Sequence, residues 1–548
     1  MNARDGATPG AGGADMREIG TYPWWQRGTV YQVYPRSFMD SNGDGVGDLP
    51  GLHSRLDYLR WLGVDAVWVS PIYPSPMKDF GYDVADYCGI DPMFGTMQDF
   101  DRLLEEAHRR GLRVILDFVP NHSSDQHPWF VESRSSRDNP KRDWYIWRDQ
   151  PNNWQSHFGG SAWEFDEKTG QYYLHEFLKE QPDLNWRNPA VKAAMFEALR
   201  FWLRKGADGF RVDVMWLMIK DDQFRDNPPN PGYAVGQGSR AQFLPVYDAD
   251  RPEIHALVVE MRGVLEEFGE RVLIGEIYLP IPRLMSYYGP ELRGADLPFN
   301  FQLLQCAWTA DELARTIGDY VAALPVGAWA NWVLGNHDKS RIASRIGIAK
   351  ARAAALLLLA LPGTLTIYNG EELGMQDVRI PPEEVQDPAE KRQPGIGMGR
   401  DPERTPMPWD GSPLCGFTSG TPWLPIGETN RAVNVEDSRR NPHSMLAFYE
   451  RLLRFRRAEP VLVAGQLTGM AAADGVLQFV RSDGKRRLEV VINLSDVVRQ
   501  VAVGSGTVAA CTSMRREGER VNGSVQLDPA EAVIIRVLDR LPGYGATV

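Results

Sequence analysis

Short apolar runs alternate with amphipathic helical stretches along most of this chain, and few folds accommodate that alternation. The strand candidates are TVYQVYPRSF (29–38), DAVWVSPI (65–72), LRVILDFV (112–119), GFRVDV (209–214), RVLIGEI (271–277), ADLPFN (295–300), WANWVLGN (329–336) and TLTIYNGEE (364–372). The apolar ones lack the two-residue alternation of a half-exposed sheet, as strands covered on both faces do. Between them, Leu49, Leu52, Leu56 and Leu59 fall on one helical face, and Gly63 ends the run. Thr96 and Asp99 form a capping-box pattern ahead of Phe100, Leu103, Leu104 and Ala107, with Gly111 as the stop. Asn188-Pro189 reads as a cap with proline at the first helical position, and Gly206 closes that helix. Eight strands with intervening helices predict an α/β fold, the (β/α)8 TIM barrel.

Two regions break the alternation. Residues 121–187 are rich in Trp, Asn, His and Asp without periodicity, which marks an insertion domain after strand 3. From 463 onward strands alternate in the antiparallel manner, as in VLQFV, the turn SDGK, then LEVVINL. The expected organisation is a disordered tail over 1–17, a barrel over 18–120 and 188–462, the insertion over 121–187, and a C-terminal antiparallel β-sandwich over 463–548. The run AAALLLLAL (353–361) is about half the length that spans a bilayer, so it reads as a buried helix.

Composition narrows the function. A net charge of −12 offers no basic excess to neutralise phosphates, which argues against a nucleic-acid partner. Four cysteines at no metal-ligand spacing are expected to be buried thiols. No secretion signal is legible, because the start MNARDGATPGAGGADMREIG lacks an apolar core. The expectation is a cytoplasmic protein with no membrane association, a monomer or weak homodimer.

In such a barrel the chemistry sits at the C-terminal ends of the strands. Asp117 and His122 follow strand 3, Arg211 and Asp213 lie on strand 4, Glu276 on strand 5, and His337 with Asp338 after strand 7. Asp213, Glu276 and Asp338 stand on separate strands and could converge on one pocket. A carboxylate pair is what glycosidic cleavage requires. Arg211, two residues before Asp213, shares its face and is expected to lower its pKa and keep it ionised. Glu276 ends an apolar strand, where burial favours the protonated acid.

DFVPNH (117–122), GFRVDV (209–214), IGEI (274–277) and LGNHD (334–338) closely resemble, in order and spacing, the four signature regions of the α-amylase superfamily, glycoside hydrolase family 13. QPDLNW (181–186) resembles its fifth region in the oligo-1,6-glucosidase and α-glucosidase branch, and RTPMPWD (404–410) and GFTSGTPW (416–423) resemble further stretches of that branch. The resemblance implies an exo-acting, retaining α-glucosidase for small α-gluco-oligosaccharides or disaccharides, with transglucosylation as a side activity. It casts Asp213 as nucleophile, Glu276 as acid/base and Asp338 as the third carboxylate. His122 and His337 would bond the sugar, and Arg211 would orient the nucleophile. Within KDFGYDVADY (78–87), Tyr82 would stack under the glucose ring and Asp79 would bind its far hydroxyls. Arg400, with Arg404 the second candidate, would pair with Asp79 and close the pocket. Val214 matches a position where valine accompanies α-1,6 cleavage. Of the insertion's aromatics, Trp154, Trp163 and Phe165 are candidates for lining the pocket.

The stretch DSNGDGVGD (40–48) looks like the start of a calcium-sensor loop. It has Gly45 at the sixth position, but its twelfth is Gly51 where a bidentate Glu is required. The resemblance instead implies a structural metal after the first strand, held by the side chains of Asp40, Asn42, Asp44 and Asp48 and the carbonyl of Val46. Such a mostly protein-derived oxygen set favours Ca2+, with Mg2+ the alternative.

Overall fold

The computed structural model describes residues 21–538; the tail expected over 1–17 lies outside them. Eight parallel strands close into a barrel: β1 (Thr29–Val33), β2 (Ala66–Val69), β3 (Arg113–Phe118), β4 (Gly209–Val212), β5 (Val272–Gly275), β6 (Leu297–Asn300), β7 (Asn331–Val333) and β8 (Thr364–Tyr368). Each pairs with its sequence neighbours, and β8 returns to β1 with Thr29 opposite Leu365. All eight fall within the stretches named from sequence. The strands are buried almost throughout, as a sheet covered on both faces demands.

The helices start and stop where local chemistry dictates. Thr96 and Asp99 cap helix α3 (Met97–Arg109) reciprocally. Asn188 accepts a bond from Ala190 N ahead of α4 (Pro189–Lys205), and Gly206 ends it at φ 110°, a left-handed conformation that costs glycine nothing. The leucine-spaced segment is two helices, α1 (Leu49–Ser54) and α2 (Leu56–Leu62), rather than one. Arg55 breaks it at φ −109° and ψ 7°, yet Leu49, Leu52, Leu56 and Leu59 all remain buried. The AAALLLLAL run lies in α7 (Ile348–Ala360), buried from Ala353 to Ala360. No helix among the described residues is long and apolar enough to cross a membrane.

Between β3 and α4 lies the insertion, whose three-stranded antiparallel sheet has Gln171–Leu174 between Trp147–Arg148 and Trp163–Asp166. Trp154 and Trp163 pack with Leu174 as its small core, and Phe165 is 48% exposed against Tyr172, so none of the three lines the main cavity. Indole rings this large serve to fill the insertion's own interior. The C-terminal domain has a six-stranded antiparallel sheet and a two-stranded one. Its SDGK turn is fastened by Asp483, which accepts bonds from the N–H groups of Lys485 and Arg486.

Two buried arginines lie at the junction of this domain with the barrel, and Arg481 is the one that crosses it. Arg456 donates to the carbonyls of Leu359, Leu361, Leu462 and Gly363, and Arg481 donates to those of Ala360, Leu462 and Gly465. Their cations meet the carbonyl end of α7, where the helix dipole is negative. Arg481→Met should therefore strip the Ala360 and Gly465 carbonyls of this donor, at about 1–3 kcal/mol for each one left unbonded, while Leu462 O keeps Arg456. Calorimetry should show a lowered unfolding temperature, with kcat/KM at 25 °C unaltered.

Candidate active site

Strand register assembles the centre of the site. Asp117 and Arg211 are register partners on β3 and β4. Just beyond the strand ends, Asp213 N bonds Phe118 O and Glu276 N bonds Val212 O. All four side chains thus emerge at one end of the barrel. Arg211, 1% exposed, donates through Nη1 to Asp117 Oδ1 (2.8 Å) and Asp213 Oδ1 (2.7 Å). Its Nη2 lies 2.8 Å from Glu276 Oε2. Arg211 lowers the Asp213 carboxyl as expected, but the net direction is the opposite of the one expected. Burial raises the Asp213 carboxyl well above the usual range, Arg211 opposes this, and Glu276 and Asp117 add to the rise. Asp117 is likewise pushed up by burial, to about 6. One cation faces three carboxyls, so the cluster keeps a proton that belongs to the group rather than to one oxygen.

Val214, directly after Asp213, has φ 36° and ψ 45°. A β-branched residue in the left-handed region carries backbone strain. The twist directs its N–H to Glu276 Oε2 at 2.8 Å, fixing that carboxyl from the opposite strand.

Asp338 sits across the cavity, its Oδ1 2.6 Å from Arg404 Nη2 and 3.5 Å from Arg400 Nη1. Burial pushes its pKa up and is outweighed by nearby positive charge, so the carboxyl is held well below its usual range. His337 is itself driven well down by burial and stays neutral, which leaves the two guanidiniums as the holding charges. Arg400 reaches on to Asp79 Oδ1 (2.7 Å) and Asp387 Oδ1 (2.6 Å), so the expected Arg400–Asp79 pair exists. Arg404 is part of the same wall rather than an alternative to Arg400.

The remaining expected residues orient one another. Gln32 Nε2 donates to His337 Nδ1 (2.8 Å), His337 Nε2 to Tyr82 OH (2.6 Å), and Tyr82 OH to Asp117 Oδ2 (3.1 Å). The rings of Tyr82 and His337 are nearly parallel at 5.4 Å. His122 Nε2 lies 3.0 Å from Tyr82 O, and burial lowers its pKa to about 4, so it is neutral at pH 7. Gln181, from the fifth region, donates to Asp79 Oδ2 at 3.2 Å.

These groups open onto a cavity of about 630 Å³. Asp79, Tyr82, His122, Asp213, Glu276, Asp338 and Arg400 all line it; Arg211 and His337 act from behind that wall. Sequence reasoning missed His157, Phe177, Trp216, Tyr278 and Glu403 in the lining, and Asp387 behind Arg400. Among the described residues His157 Nε2 and Trp216 Nε1 have no hydrogen-bond partner, as befits groups that can meet a polar ligand, although Glu176 Oε2 lies 3.9 Å from His157 Nε2. No periodicity or spacing marks them, although the aromatic, non-periodic character of 121–187 pointed to their neighbourhood.

The 40–48 loop is wound by its own side chains. Asp40 Oδ1, Asn42 Oδ1 and Asp44 Oδ1 accept the N–H groups of Asn42, Asp44 and Val46 in succession. Asp48 accepts from Ser41 and caps α1 through Gly51 N. Gly45 adopts φ 91°, and a Cβ there would lie 1.8 Å from Thr421 O. Among the described residues no three His, Cys, Asp or Glu side chains cluster as a metal site. An ion here would thus depend on the Asn42 amide oxygen and a backbone carbonyl beside the carboxylates.

A closed (β/α)8 barrel that gathers buried carboxylates at the C-terminal ends of its strands is the architecture of a glycoside hydrolase. The chain belongs to the α-amylase family, whose catalytic domain matches residues 32–465. It is 43% identical to a probable alpha-glucosidase of Rhizobium meliloti, over 86% of this chain and 90% of that one. It is 40% identical to the oligo-1,6-glucosidase of Parageobacillus thermoglucosidasius, over 86% and 91% of the two chains. Among solved structures, an alpha-glucosyl transfer enzyme superposes with a TM-score of 0.89 at 38% identity, covering 94% of this chain and all of that one. The isomaltulose synthase of Protaminobacter rubrum superposes with a TM-score of 0.88 at 34% identity, covering 95% and 100%.

Buried neutral histidines give the site a pH signature. His122 titrates at about 4 when folded against 6.5 when exposed, so between those values the unfolded chain binds the extra proton. Stability therefore falls as pH drops from about 6.5 towards 4, by on the order of 3 kcal/mol for this residue alone. Thermal unfolding measured across that window should show the loss, and His122→Gln should reduce it.

Proposed function

We propose that the chain is a retaining, exo-acting α-glucosidase that releases terminal glucose from short α-gluco-oligosaccharides or disaccharides. The observation that carries this is the pair Asp213 and Glu276, held by adjacent nitrogens of one guanidinium beside a cavity walled by the Arg400–Asp79 pair. That arrangement fits the short carboxyl separation, about 5–5.5 Å, of the double-displacement route. In the reacting complex the cluster's proton sits on Glu276 and Asp213 is the anion. Asp213 attacks the anomeric carbon while Glu276 protonates the departing oxygen; Glu276 then deprotonates water, which releases glucose. Asp338, kept anionic, accepts bonds from sugar hydroxyls. Asp79 and Arg400 limit the cavity beyond the terminal sugar, and Tyr82 offers its ring to the glucose.

An acceptor sugar in place of water turns the same intermediate to transfer. The second reading, a dedicated α-glucosyltransferase or a sucrose- or trehalose-acting enzyme, is favoured by the likeness to the transfer enzyme and the isomaltulose synthase. An inactive binding homologue is opposed by the intact carboxylate trio. Asp213→Asn should remove hydrolysis by several powers of ten in a folded protein, because the covalent route disappears. Glu276→Gln should damage sugar leaving groups far more than activated aryl glucosides. Early product seen by NMR should be the α-anomer; a β-anomer would refute retention. Separate incubations with maltose, isomaltose, sucrose and trehalose would fix the substrate, and Val214 leads us to expect isomaltose cleavage.

We also propose a cytoplasmic enzyme whose 40–48 loop holds a structural Ca2+, with Asp40, Asn42, Asp44 and Asp48 and the Val46 carbonyl as ligands. The hard, all-oxygen donor set supports this, and the ion's only contribution would be to fasten the loop. Chelation should then lower the unfolding temperature by mass action while the folded fraction stays active. Activity lost from a fully folded chelated protein would sink the structural role.

A further inference from the structure

Glu403 is one of two carboxyls in the cavity wall, with Asp377, that have no task in the proposed reaction. It is 3% exposed, and among the described residues its carboxyl forms no ion pair and takes no hydrogen bond from another residue, only one from its own backbone N–H. A buried polar group left this way is costly unless a ligand completes it.

Its backbone is nevertheless clamped on every side. Glu403 ends a short 3-10 turn, Asp401–Glu403. Asp401 Oδ2 accepts the N–H groups of Gln386 and Asp387, Val378 N donates to Pro402 O, and Tyr368 OH donates to Glu403 O. On either side, Arg400 and Arg404 are committed to Asp79, Asp387 and Asp338. The turn is thus fixed by its own bonds, and Arg404, whose Nη2 goes to Asp338 and whose Nη1 has no partner, forms no ion pair with Glu403. The neighbouring cavity carboxylate, Asp377, is satisfied by Ser340 Oγ and Arg341 N. Of these two carboxyls, only Glu403 is held without a partner on another described residue.

Among the described residues no hydrogen bond or ion pair links Glu403 to Asp79, Tyr82 or His122, the side of the cavity where the terminal glucose is placed. Its surroundings are Asp377, Val378 and the Asp338 edge. We propose that Glu403 binds the hydroxyls of the sugar unit on the far side of the scissile bond, the leaving sugar in cleavage and the acceptor in transfer. The ligand class is a polyol: a hexose ring presents adjacent hydroxyls that both donate and accept. Burial raises the Glu403 carboxyl well above its usual range, against Arg404 and with Asp377 adding. A neutral carboxyl can match a diol, giving one bond and taking another. This inference rests on the α-glucosidase reading.

The test compares two leaving groups. Wild type, Glu403→Ala and Glu403→Gln are assayed on isomaltose or maltose, whichever wild type cleaves, and on p-nitrophenyl α-glucoside, whose leaving group has no sugar hydroxyls. Glu403→Ala should reduce the ratio of kcat/KM for disaccharide to that for aryl glucoside about tenfold or more. Glu403→Gln, which keeps the shape and a donor-acceptor pair, should hold that ratio within about threefold of wild type. The two variants losing both substrates in parallel, or a ratio unmoved by Glu403→Ala, would overturn the proposal while leaving the α-glucosidase reading intact. A wild-type protein that cleaves neither substrate would bring down both.

Discussion

One buried guanidinium makes the rest of the site possible. Three carboxyls, Asp117, Asp213 and Glu276, stand at the barrel's end with almost no solvent, and Arg211 bonds all three. Removing such charges from water costs several kcal/mol each, and only a close counter-charge with good geometry offsets it. The cation in turn depends on the barrel: it must sit on β4 opposite Asp117 on β3, with Glu276 one residue past the end of β5. Closure of the sheet is therefore a chemical requirement as well as an architectural one. A slip of one residue on β4 would send Arg211 and Asp213 to the opposite face.

A second cationic group has a different task. Arg400 and Arg404 come from a loop long after β8, and they bind Asp79, Asp387 and Asp338. Here positive charge outweighs burial, and Asp338 stays anionic. Around Arg211 the balance runs the other way and burial wins. Two carboxylates in one cavity are thus pushed in opposite directions by how many guanidiniums each one meets. Environments that separate titratable groups in this way mark acid, base and binding roles.

Much of this was legible in the sequence because it is local. Strand runs, the Thr96–Asp99 cap and the Asn188-Pro189 start depend on neighbours in the chain, and each formed as read. The Arg400–Asp79 pair spans 321 residues and was available only through the likeness of its surrounding motifs. What stayed hidden depends on tertiary placement alone. Nothing in the spacing of His157, Trp216 or Glu403 says that they meet in one cavity. The direction of the Asp213 shift was misjudged because an Arg two residues away is visible in a string of letters, whereas full burial and two competing carboxyls are not. Trp154 and Trp163 misled for the complementary reason: an aromatic in an irregular segment serves a small core as readily as a sugar.

Val214 shows how the fold and the chemistry share one device. A valine at φ 36° is unfavourable in isolation, by about 1–3 kcal/mol. It persists because the segments on both sides are fixed: Asp213 N is bonded to Phe118 O, and Leu217 N to Val214 O begins the next turn. The strained unit presents two groups with separate destinations. Its N–H goes to Glu276, across strands, while its side chain remains in the cavity wall. The carboxyl that must exchange a proton is thereby held at Oε2 by both Arg211 Nη2 and a strained peptide N–H. Glycine could adopt the same conformation without strain, but it would surrender the apolar branch that shapes the cavity and would loosen the turn. A β-branched residue in a left-handed turn costs stability and gives the chain both a fixed acid and a shaped wall at a single position.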